Sequence, residues 1–259
     1  MNLPIQFRSD EFVADYSRKK GLSLRDGLRA LMRDGVFPER FRRNEGLVSP
    51  ECQLELLDMP LFIAGCGGLG GEIAAQLARF GAGRLFLCDY DKFEESNLNR
   101  QRFCNMETLG RFKAETAAEE LSKIAPFGEF HSKIFRLEPQ RAPETLAACA
   151  LVIDCLDSTQ GKKMLENMAR TAGRPWLHGA VLQFEGFACL RTHPRGLLER
   201  LYGADCRQDG AGSVLANVVA GTASLMLSLF VKWLHNREFS SRLIHADFSV
   251  PEVESLEVE

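Results

Sequence analysis

Three glycines in the first half of the chain have the spacing of a phosphate-binding loop. Gly65, Gly67 and Gly70 fit the pattern G-x-G-x-x-G and lie between a short apolar run and a segment with helical periodicity. Glycine lets the chain turn tightly, so that backbone amides and the positive end of the next helix can approach phosphate oxygens. Asp89 ends the following apolar run, where a carboxylate can accept hydrogen bonds from ribose hydroxyls. The pattern predicts a nucleotide site and leaves NAD, FAD and ATP open.

A dense polar segment follows this carboxylate. Residues 90–101 include Asn, Arg and Gln side chains, and Lys113 follows on the next predicted helix. A dinucleotide oxidoreductase has no need for these groups, whereas an enzyme that cleaves a nucleotide at its phosphates must meet developing negative charge with fixed cations and donors. Asp157, at the end of a later strand, would be placed to hold Mg²⁺ through one carboxylate. The residue types therefore favour ATP as the nucleotide.

These groups need a scaffold that brings strand ends together. Short apolar runs alternate with segments of helical periodicity, which predicts an α/β fold with a doubly wound, mostly parallel sheet and a small N-terminal helical extension. The predicted helices are 10–20, 24–34, 72–80, 108–125, 160–172 and 213–235, and the predicted strands are 61–64, 84–88, 151–153, 175–182 and 186–191. The tail from about Val250 is acidic and is expected to be extended.

Composition excludes several classes of protein. The chain has 259 residues, with 45% apolar and 26% charged residues, as in an ordinary globular protein. A net charge of −3 argues against nucleic acid as the main partner. Residues 210–231 carry no formal charge and are long enough to cross a membrane, but their Ser, Asn and Thr content favours a buried core helix, so no membrane association is predicted.

Cysteine spacing bears on compartment and on metal content. The eight cysteines are scattered, and no two of them form a C-x-x-C pair. Scattered thiols favour a cytoplasmic protein over a disulfide framework, and the missing pairs predict that no zinc is bound. The first residues lack an apolar core of the kind that signal peptides have.

Several motifs in order resemble the ubiquitin-activating-enzyme superfamily in its bacterial form, the MoeB/ThiF/HesA adenylyltransferases. The resemblance is carried by GCGGLGG at 65–71, CDYDKFEESNLNRQ at 88–101, Lys113, CLDS at 155–158 and HGAVLQFEG at 178–186. It implies ATP-dependent adenylation of a carboxylate, typically the C-terminal Gly-Gly of a small ubiquitin-like sulfur-carrier protein. The products would be an acyl-adenylate and pyrophosphate.

The resemblance also implies roles for individual residues. Gly68 would approach the phosphates, Asp89 would bind the ribose and Asp157 would coordinate Mg²⁺. The implied nucleotide-binding set is Gly65, Gly67, Gly68, Gly70, Asp89, Asp91, Ser96, Asn97, Arg100, Gln101, Lys113 and Ser158. The implied catalytic set is Arg43, Arg100, Lys113, Asp157 and Cys206.

The catalytic assignments of Arg43 and Cys206 rest on further similarities to the family. Residues 40–44, RFRRN, resemble the family element R-[YF]-x-R-[QN], in which the second arginine enters the neighbouring subunit's active site. This implies a homodimer with Arg43 acting across the interface. Residues 1–45 differ in character from the rest of the chain, which predicts an N-terminal helical extension, 1–45, and an adenylation domain, 46–259. Cys206 falls close to a reactive cysteine of some members, and an ordinary loop thiol is the alternative.

Other functions stay open at this point. Within the superfamily, the chain could dehydrate a modified tRNA base with ATP, which the net charge disfavours, or adenylate a peptide C-terminus in specialised metabolism. Two further hypotheses come from other functional classes: a NAD- or FAD-binding oxidoreductase, and a non-catalytic binding partner. The non-catalytic hypothesis is disfavoured by the presence of Arg100, Lys113 and Asp157.

Overall fold

The structure, a computed structural model, describes residues 5–191, 196–202, 212–239 and 242–257. The N-terminal part contains β1 (Gln6–Arg8), α1 (Asp10–Lys20), α2 (Leu24–Arg33) and β2 (Val36–Pro38). Both helices begin at serine caps, because the hydroxyl of Ser9 accepts from the Phe12 amide and that of Ser23 accepts from the Asp26 amide. The two predicted helices are confirmed, whereas the parallel pairing of β1 with β2 was not predicted.

The rest of the chain alternates helices and strands around one large sheet. Its elements are α3 (Pro50–Asp58), β3 (Pro60–Ala64), α4 (Gly68–Phe80), β4 (Arg84–Cys88), α5 (Lys113–Ile124), β5 (Glu129–Lys133), α6 (Pro143–Ala148), β6 (Leu151–Asp154), α7 (Thr159–Thr171), β7 (Trp176–Leu182), β8 (Glu185–Arg191), α8 (Leu198–Tyr202), α9 (Ala216–Asn236), β9 (Arg242–Asp247) and β10 (Glu252–Glu257).

The sheet has the strand order β10-β9-β8-β7-β6-β3-β4-β5. The strands from β5 to β7 are parallel, and β8, β9 and β10 continue the sheet in antiparallel pairs. This confirms the α/β class and the mostly parallel sheet. The chain leaves β3 toward β4 on one side and later returns to β6 on the other, so a crevice opens at the carboxyl ends of β3 and β6.

Two predicted helix starts were wrong. The helix predicted at 72–80 begins at Gly68, because the glycine-rich run already forms its first turn. The helix predicted at 108–125 begins only at Lys113, because the Thr108 hydroxyl binds the Asn105 amide and the Phe103 carbonyl in a preceding turn.

Several elements were missed because their sequences lack the expected pattern. The edge strand β5 reads EFHSK and is only partly buried, so no apolar run marks it. The acidic tail, which was predicted to be extended, forms the strand β10; this strand is exposed along its whole length, and its pairing with β9 was not predicted. Edge strands contribute little apolar surface, and only their hydrogen-bonded partner strands identify them.

The N-terminal extension shares the core of the sheet domain. Leu28 and Leu31 of α2 are buried in the same apolar cluster as Leu56 and Leu57 of α3. The buried guanidinium of Arg25 reinforces this packing by binding the Leu57 carbonyl at 3.1 Å, with carboxylates of α3 and β5 at 3.0 and 2.7 Å. The predicted boundary at residue 45 stays a prediction, since the apolar cluster continues across it.

Helix α9 is long and apolar enough to span a membrane by length and composition. Its Val219, Ala223, Met226 and Phe230 are buried in the main apolar cluster, and one side of the helix packs along α4 and the adjoining strands. The helix is therefore built into the fold, as the sequence predicted for residues 213–235.

Candidate active site

A cavity of about 900 Å³ opens at the carboxyl ends of the parallel strands. It lies at the crevice beyond β3 and β6, where ligands of doubly wound sheets bind. Ten of the residues singled out from the sequence line it: Gly65, Gly67, Gly68, Asp89, Asp91, Arg100, Gln101, Lys113, Asp157 and Ser158. Residues that are distant in sequence thus meet in one crevice.

The glycine loop joins β3 to α4 and forms the floor of this cavity. Gly65 has a φ of +87°, and a Cβ atom there would lie 2.5 Å from the Cys155 carbonyl oxygen. At Gly67 an added Cβ atom would lie 3.4 Å from the side-chain Nε2 of Gln101, which is an ordinary van der Waals distance. The loop backbone and the start of α4 are therefore presented to the cavity, which suits the binding of phosphate oxygens.

Asp89, which directly follows β4, stabilises the glycine loop through hydrogen bonds. Its carboxylate accepts hydrogen bonds from the Cys66 amide at 2.7 Å and from the Asp91 amide at 2.8 Å. Burial raises the pKa of Asp89, and the two amide donors oppose that rise only in part. The carboxylate lines the cavity as well, so the same group orders the loop and remains within reach of a ligand.

The polar segment and the start of α5 supply cations and donors. Lys113 is buried, and its Nζ lies 3.1 Å from Oδ2 of Asp91. The guanidinium of Arg100 donates to the Ser96 carbonyl at 2.9 Å and lines the cavity. Buried Gln101 has an Oε1 atom with no hydrogen-bond partner among the described residues. Since a buried polar atom without a partner is costly, Gln101 is a strong candidate for a ligand contact.

Other predicted residues lie outside the cavity lining. The Asn97 side chain is buried and accepts from the Glu94 amide at 3.2 Å, so it closes its own turn next to Ser96. Gly70 lies under the loop, where an added Cβ would be 1.8 Å from the Gly65 carbonyl oxygen. Cys206 lies outside the described residues. The structure thus gives Asn97 a turn-forming position and Gly70 a packing position.

Asp157 and Ser158 follow β6 at the opposite wall. The Ser158 hydroxyl accepts from the Gly161 amide at 3.2 Å and so caps α7. Asp157 is exposed to the cavity and has no ion pair with any described residue. No group of three or more His, Cys, Asp and Glu side chains suited to a metal occurs in the described part of the chain. A single free carboxylate fits Mg²⁺ that is otherwise held by phosphates and water.

A buried charged cluster behind this wall was missed from the sequence. Oδ2 of Asp154 lies 2.8 Å from Nδ1 of His178, and Nζ of Lys162 lies 3.5 Å from Oδ1 of Asp154. Lys162 also donates to the Gly179 carbonyl at 2.7 Å and lines the cavity. Burial lowers the pKa of His178; burial alone would raise that of Asp154, but Lys162 and His178 hold it below its ordinary value. The cluster fixes the loop that carries Asp157, because Asp154 also accepts from the Leu156 amide.

The three arginines of residues 40–43 lie in different environments. Arg40 binds Asp10 and the Ile124 carbonyl, and Arg42 binds Glu39 and lies over the Phe7 ring. Arg43 is exposed and has no such partner among the described residues, and it lies outside the cavity lining. Of the three arginines it is the one free to contact another molecule.

The strand order and the glycine loop at the switch point define an α/β protein of the doubly wound class, with a crevice whose cations suit a nucleotide. Comparison with known sequences takes this further, because the sequence profile of the ThiF family matches residues 41–259. The chain belongs to the ThiF family, which confirms the family resemblance seen in its motifs.

Individual relatives agree with this assignment. The molybdopterin-synthase adenylyltransferase of Salmonella typhimurium is 30% identical over 189 residues, which are 71% of this chain and 76% of that protein. The adenylyltransferase and sulfurtransferase uba4 of Aspergillus niger is 32% identical over 164 residues, 61% of this chain and 34% of its own length. This chain thus spans about a third of the fungal relative. Among solved structures, E. coli MccB with MccA-N7isoASN has a TM-score of 0.70 at 16% identity, covering 85% of this chain and 72% of that one, which shows a shared fold.

Proposed function

We propose that this protein is an adenylyltransferase that transfers AMP from ATP to the C-terminal carboxylate of a small ubiquitin-like sulfur-carrier protein, with release of pyrophosphate. The observation that carries the proposal is the meeting of the glycine loop, Lys113, Arg100 and Asp157 in one crevice. The names of the relatives support it, since the Salmonella and Thermus thermophilus proteins are called adenylyltransferases of molybdopterin synthase and of a sulfur carrier protein.

The residues divide the work by position. The loop amides at Gly67 and Gly68 and the start of α4 would bind phosphate oxygens, and Asp89 would accept from the ribose. Arg100 and Lys113 would neutralise the charge that develops on the departing pyrophosphate. The substrate carboxylate is already ionised at neutral pH, so it can attack the α-phosphate without a general base. Positioning of the two reactants then supplies most of the rate enhancement.

Asp157 would hold Mg²⁺ in this scheme. The ion, when bound, would neutralise phosphate charge and orient the triphosphate. The Asp154–Lys162–His178 cluster would keep the Asp157 loop in place from behind. We propose that no zinc is bound, since the sequence has no C-x-x-C pair, and the catalytic role of Cys206 stays a prediction.

The proposal includes a homodimer and a cytoplasmic location. The free guanidinium of Arg43 supports the dimer, because a side chain that enters a neighbouring active site must be unpaired in its own subunit. Seven of the eight cysteines lie in the described residues and are free thiols there, which suits a reducing compartment.

ATP–pyrophosphate exchange tests the proposed activity. We expect wild-type protein to catalyse exchange with a sulfur-carrier protein that ends in Gly-Gly, and Asp157→Ala to lose roughly a hundredfold or more of this rate. Asp34→Ala, which removes an exposed carboxylate at the end of α2, is the matched control and should keep the wild-type rate.

Two results would contradict the proposal. One is the absence of exchange by wild-type protein with every Gly-Gly carrier tested, and the other is full exchange by Asp157→Ala. Exchange with short peptides in place of a carrier would move the substrate assignment to peptide C-termini.

A further inference from the structure

In the described part of the chain, four cationic side chains line the cavity: Arg100, Lys113, Arg136 and Lys162. Arg100 and Lys113 lie in the polar segment and at the start of α5, and the proposed function directs them toward the departing pyrophosphate. The guanidinium of Arg136 lies over the Tyr90 ring, 6.0 Å from its centroid, and Tyr90 directly follows the proposed ribose ligand Asp89. Lys162 lies on a different wall, which is formed by the segment that follows β6.

The Lys162 side chain crosses the carboxyl end of β6. It begins in the first turn of α7, and its Nζ donates to the Gly179 carbonyl on β7 at 2.7 Å. The last pair between β6 and β7 joins Asp154 to His178, so the Gly179 carbonyl lies just beyond the end of β6. Nζ also lies 3.5 Å from Oδ1 of Asp154, and the lysine side chain is only 7% exposed. The ammonium group is therefore held at the edge of the sheet where the crevice opens.

This ammonium group has one N–H donor without a partner in the described residues. A lysine ammonium carries three such donors, and the described groups that face it are the Gly179 carbonyl and the Asp154 carboxylate. Asp154 is itself fixed, because it lies 2.8 Å from Nδ1 of His178 and accepts from the Leu156 amide at 3.1 Å. A cation that is held in place before a reaction stabilises developing charge without having to reorganise.

The proposed reaction needs a cation at one further place. The acceptor carboxylate and the α-phosphate of ATP are both anionic, and Coulomb repulsion opposes their approach. Arg100 and Lys113 are directed toward the leaving group, and Arg136 lies beside the ribose carboxylate Asp89. Of the four lining cations, Lys162 is the one placed away from both of these groups, on the wall that carries Asp157.

We infer that Lys162 is a catalytic residue whose ammonium group contacts the acceptor carboxylate and the α-phosphate as they meet. This inference rests on the proposed adenylation of a carboxylate. In that step a carboxylate oxygen forms a bond to the α-phosphorus, and the bond from this phosphorus to the oxygen that bridges to the β-phosphate breaks. Pyrophosphate leaves with the electron pair of the broken bond. No proton is transferred, and Lys162 stays charged throughout.

A pair of variants separates this role from the pairing of Lys162 with Asp154. Lys162→Met alone leaves the buried Asp154 carboxylate without its cation, which destabilises the fold. The comparison is therefore made between Asp154→Asn, which keeps the lysine, and the double variant Asp154→Asn/Lys162→Met, which has neither charge. We expect the kcat of ATP–pyrophosphate exchange with a Gly-Gly sulfur-carrier protein to be about a hundredfold lower in the double variant. Its urea unfolding midpoint should equal or exceed that of Asp154→Asn, because the second substitution removes a buried charge that has lost its partner.

A binding measurement checks the contact without turnover, and it decides the question if Asp154→Asn itself exchanges too slowly to compare. The probe is glycylglycyl sulfamoyl-adenosine, in which an acyl sulfamate replaces the acyl phosphate and places a negative charge between the acyl and adenosine groups. We expect its dissociation constant to be about tenfold higher in the double variant than in Asp154→Asn. The dissociation constant for ATP should agree within about twofold between the two variants. Isothermal titration calorimetry measures both values.

The outcomes separate this inference from the proposed function. If wild-type protein catalyses exchange, but the double variant has the same kcat as Asp154→Asn or binds the sulfamate equally tightly, Lys162 serves only as the partner of Asp154. The inference is then wrong and the proposed function stands. If wild-type protein catalyses no exchange with any Gly-Gly carrier, the proposed function fails, and this inference fails with it.

Discussion

The glycines of the G-x-G-x-x-G loop are required for different physical reasons, although the sequence motif does not distinguish them. Gly70 lets α4 pack directly on the start of the glycine loop, because a Cβ atom there would lie 1.8 Å from the Gly65 carbonyl oxygen. Gly67 faces the cavity, and a Cβ atom there would meet only the end of the Gln101 side chain. Gly70 is therefore required by the fold, whereas the small size of Gly67 serves the ligand.

Alanine substitutions should separate these two tasks. Gly70→Ala should lower the free energy of unfolding by about 3 kcal/mol or more, because backbone must move to admit the methyl group. Gly67→Ala should change the free energy of unfolding by no more than about 1 kcal/mol. It should weaken ATP binding, because the added methyl group would occupy the part of the cavity proposed to hold the phosphates. Urea unfolding and ATP titration measure the two effects. Equal stability losses in the two variants would refute this division.

At the scale of elements, one histidine joins the three antiparallel strands beside the site. The imidazole of His245 on β9 lies between the carboxylates of Glu185 on β8 and Glu254 on β10. It also stacks on Phe187, a cavity-lining residue, with ring centroids 4.9 Å apart. Hydrogen bonds to Glu185 and then to Glu254 raise the pKa of His245. The charged form of the histidine thus links the exposed strand β10 to the sheet.

This arrangement predicts a pH-dependent contribution to stability. A histidine whose pKa is raised on folding stabilises the protein fully below its unfolded value of about 6.5, and this contribution is lost as pH rises through the folded value. His245→Gln should therefore reduce the free energy of unfolding by about 0.5–1 kcal/mol near pH 6 and have a smaller effect near pH 9. Urea unfolding at both pH values measures this difference.

A neighbouring substitution supplies the control for this experiment. Glu252→Gln alters an exposed side chain on the same strand β10 and should give the same small stability change at both pH values. A stability loss in His245→Gln that does not change with pH would show that the imidazole acts through packing on Phe187 alone.

At the scale of the whole molecule, the N-terminal segment carries both a structural and a proposed catalytic role. Its helix α2 is held to the sheet domain by the apolar cluster and by the buried Arg25 guanidinium. Arg40 and Arg42 are engaged within the subunit, whereas Arg43 is free. Rigid attachment of the segment would let a dimer present Arg43 to the neighbouring crevice at a fixed position.

Mixing two inactive variants tests this arrangement. Arg43→Ala and Asp157→Ala should each lose most adenylation activity, because each affects every site of a homodimer. If Arg43 acts across the interface, random subunit exchange should restore about a quarter of the wild-type rate, since half of the dimers then contain one intact site. Pyrophosphate exchange before and after mixing measures the recovery.

The control for subunit mixing uses two variants of the same site. A mixture of Asp157→Ala and Lys113→Ala would recover activity only if the two residues reached one site from different subunits. In this structure both residues line the same cavity of the same chain. No recovery is expected from that mixture. Failure of the Arg43 mixture to recover activity, with heterodimers present, would place Arg43 outside the neighbouring site.

The sequence by itself determined the fold class, the family and ten of the residues that line the cavity. Alternating apolar runs and glycines at fixed spacing are local signals, and the carboxyl ends of parallel strands must meet at one edge of a sheet. For this reason Asp89, Lys113 and Asp157 could be assigned to one crevice from residue order alone, and the structure brings them together there.

Only the tertiary structure decided which groups are already occupied and which are free. Asn97 closes its own turn, Lys162 is buried against Asp154, and Arg43 alone of three neighbouring arginines lacks a partner in the described chain. The strand register likewise decided that β7 continues to Leu182, beyond its last pair with β6 at His178. Pairing and burial arise from contacts between segments distant in sequence, so no local pattern of residues encodes them.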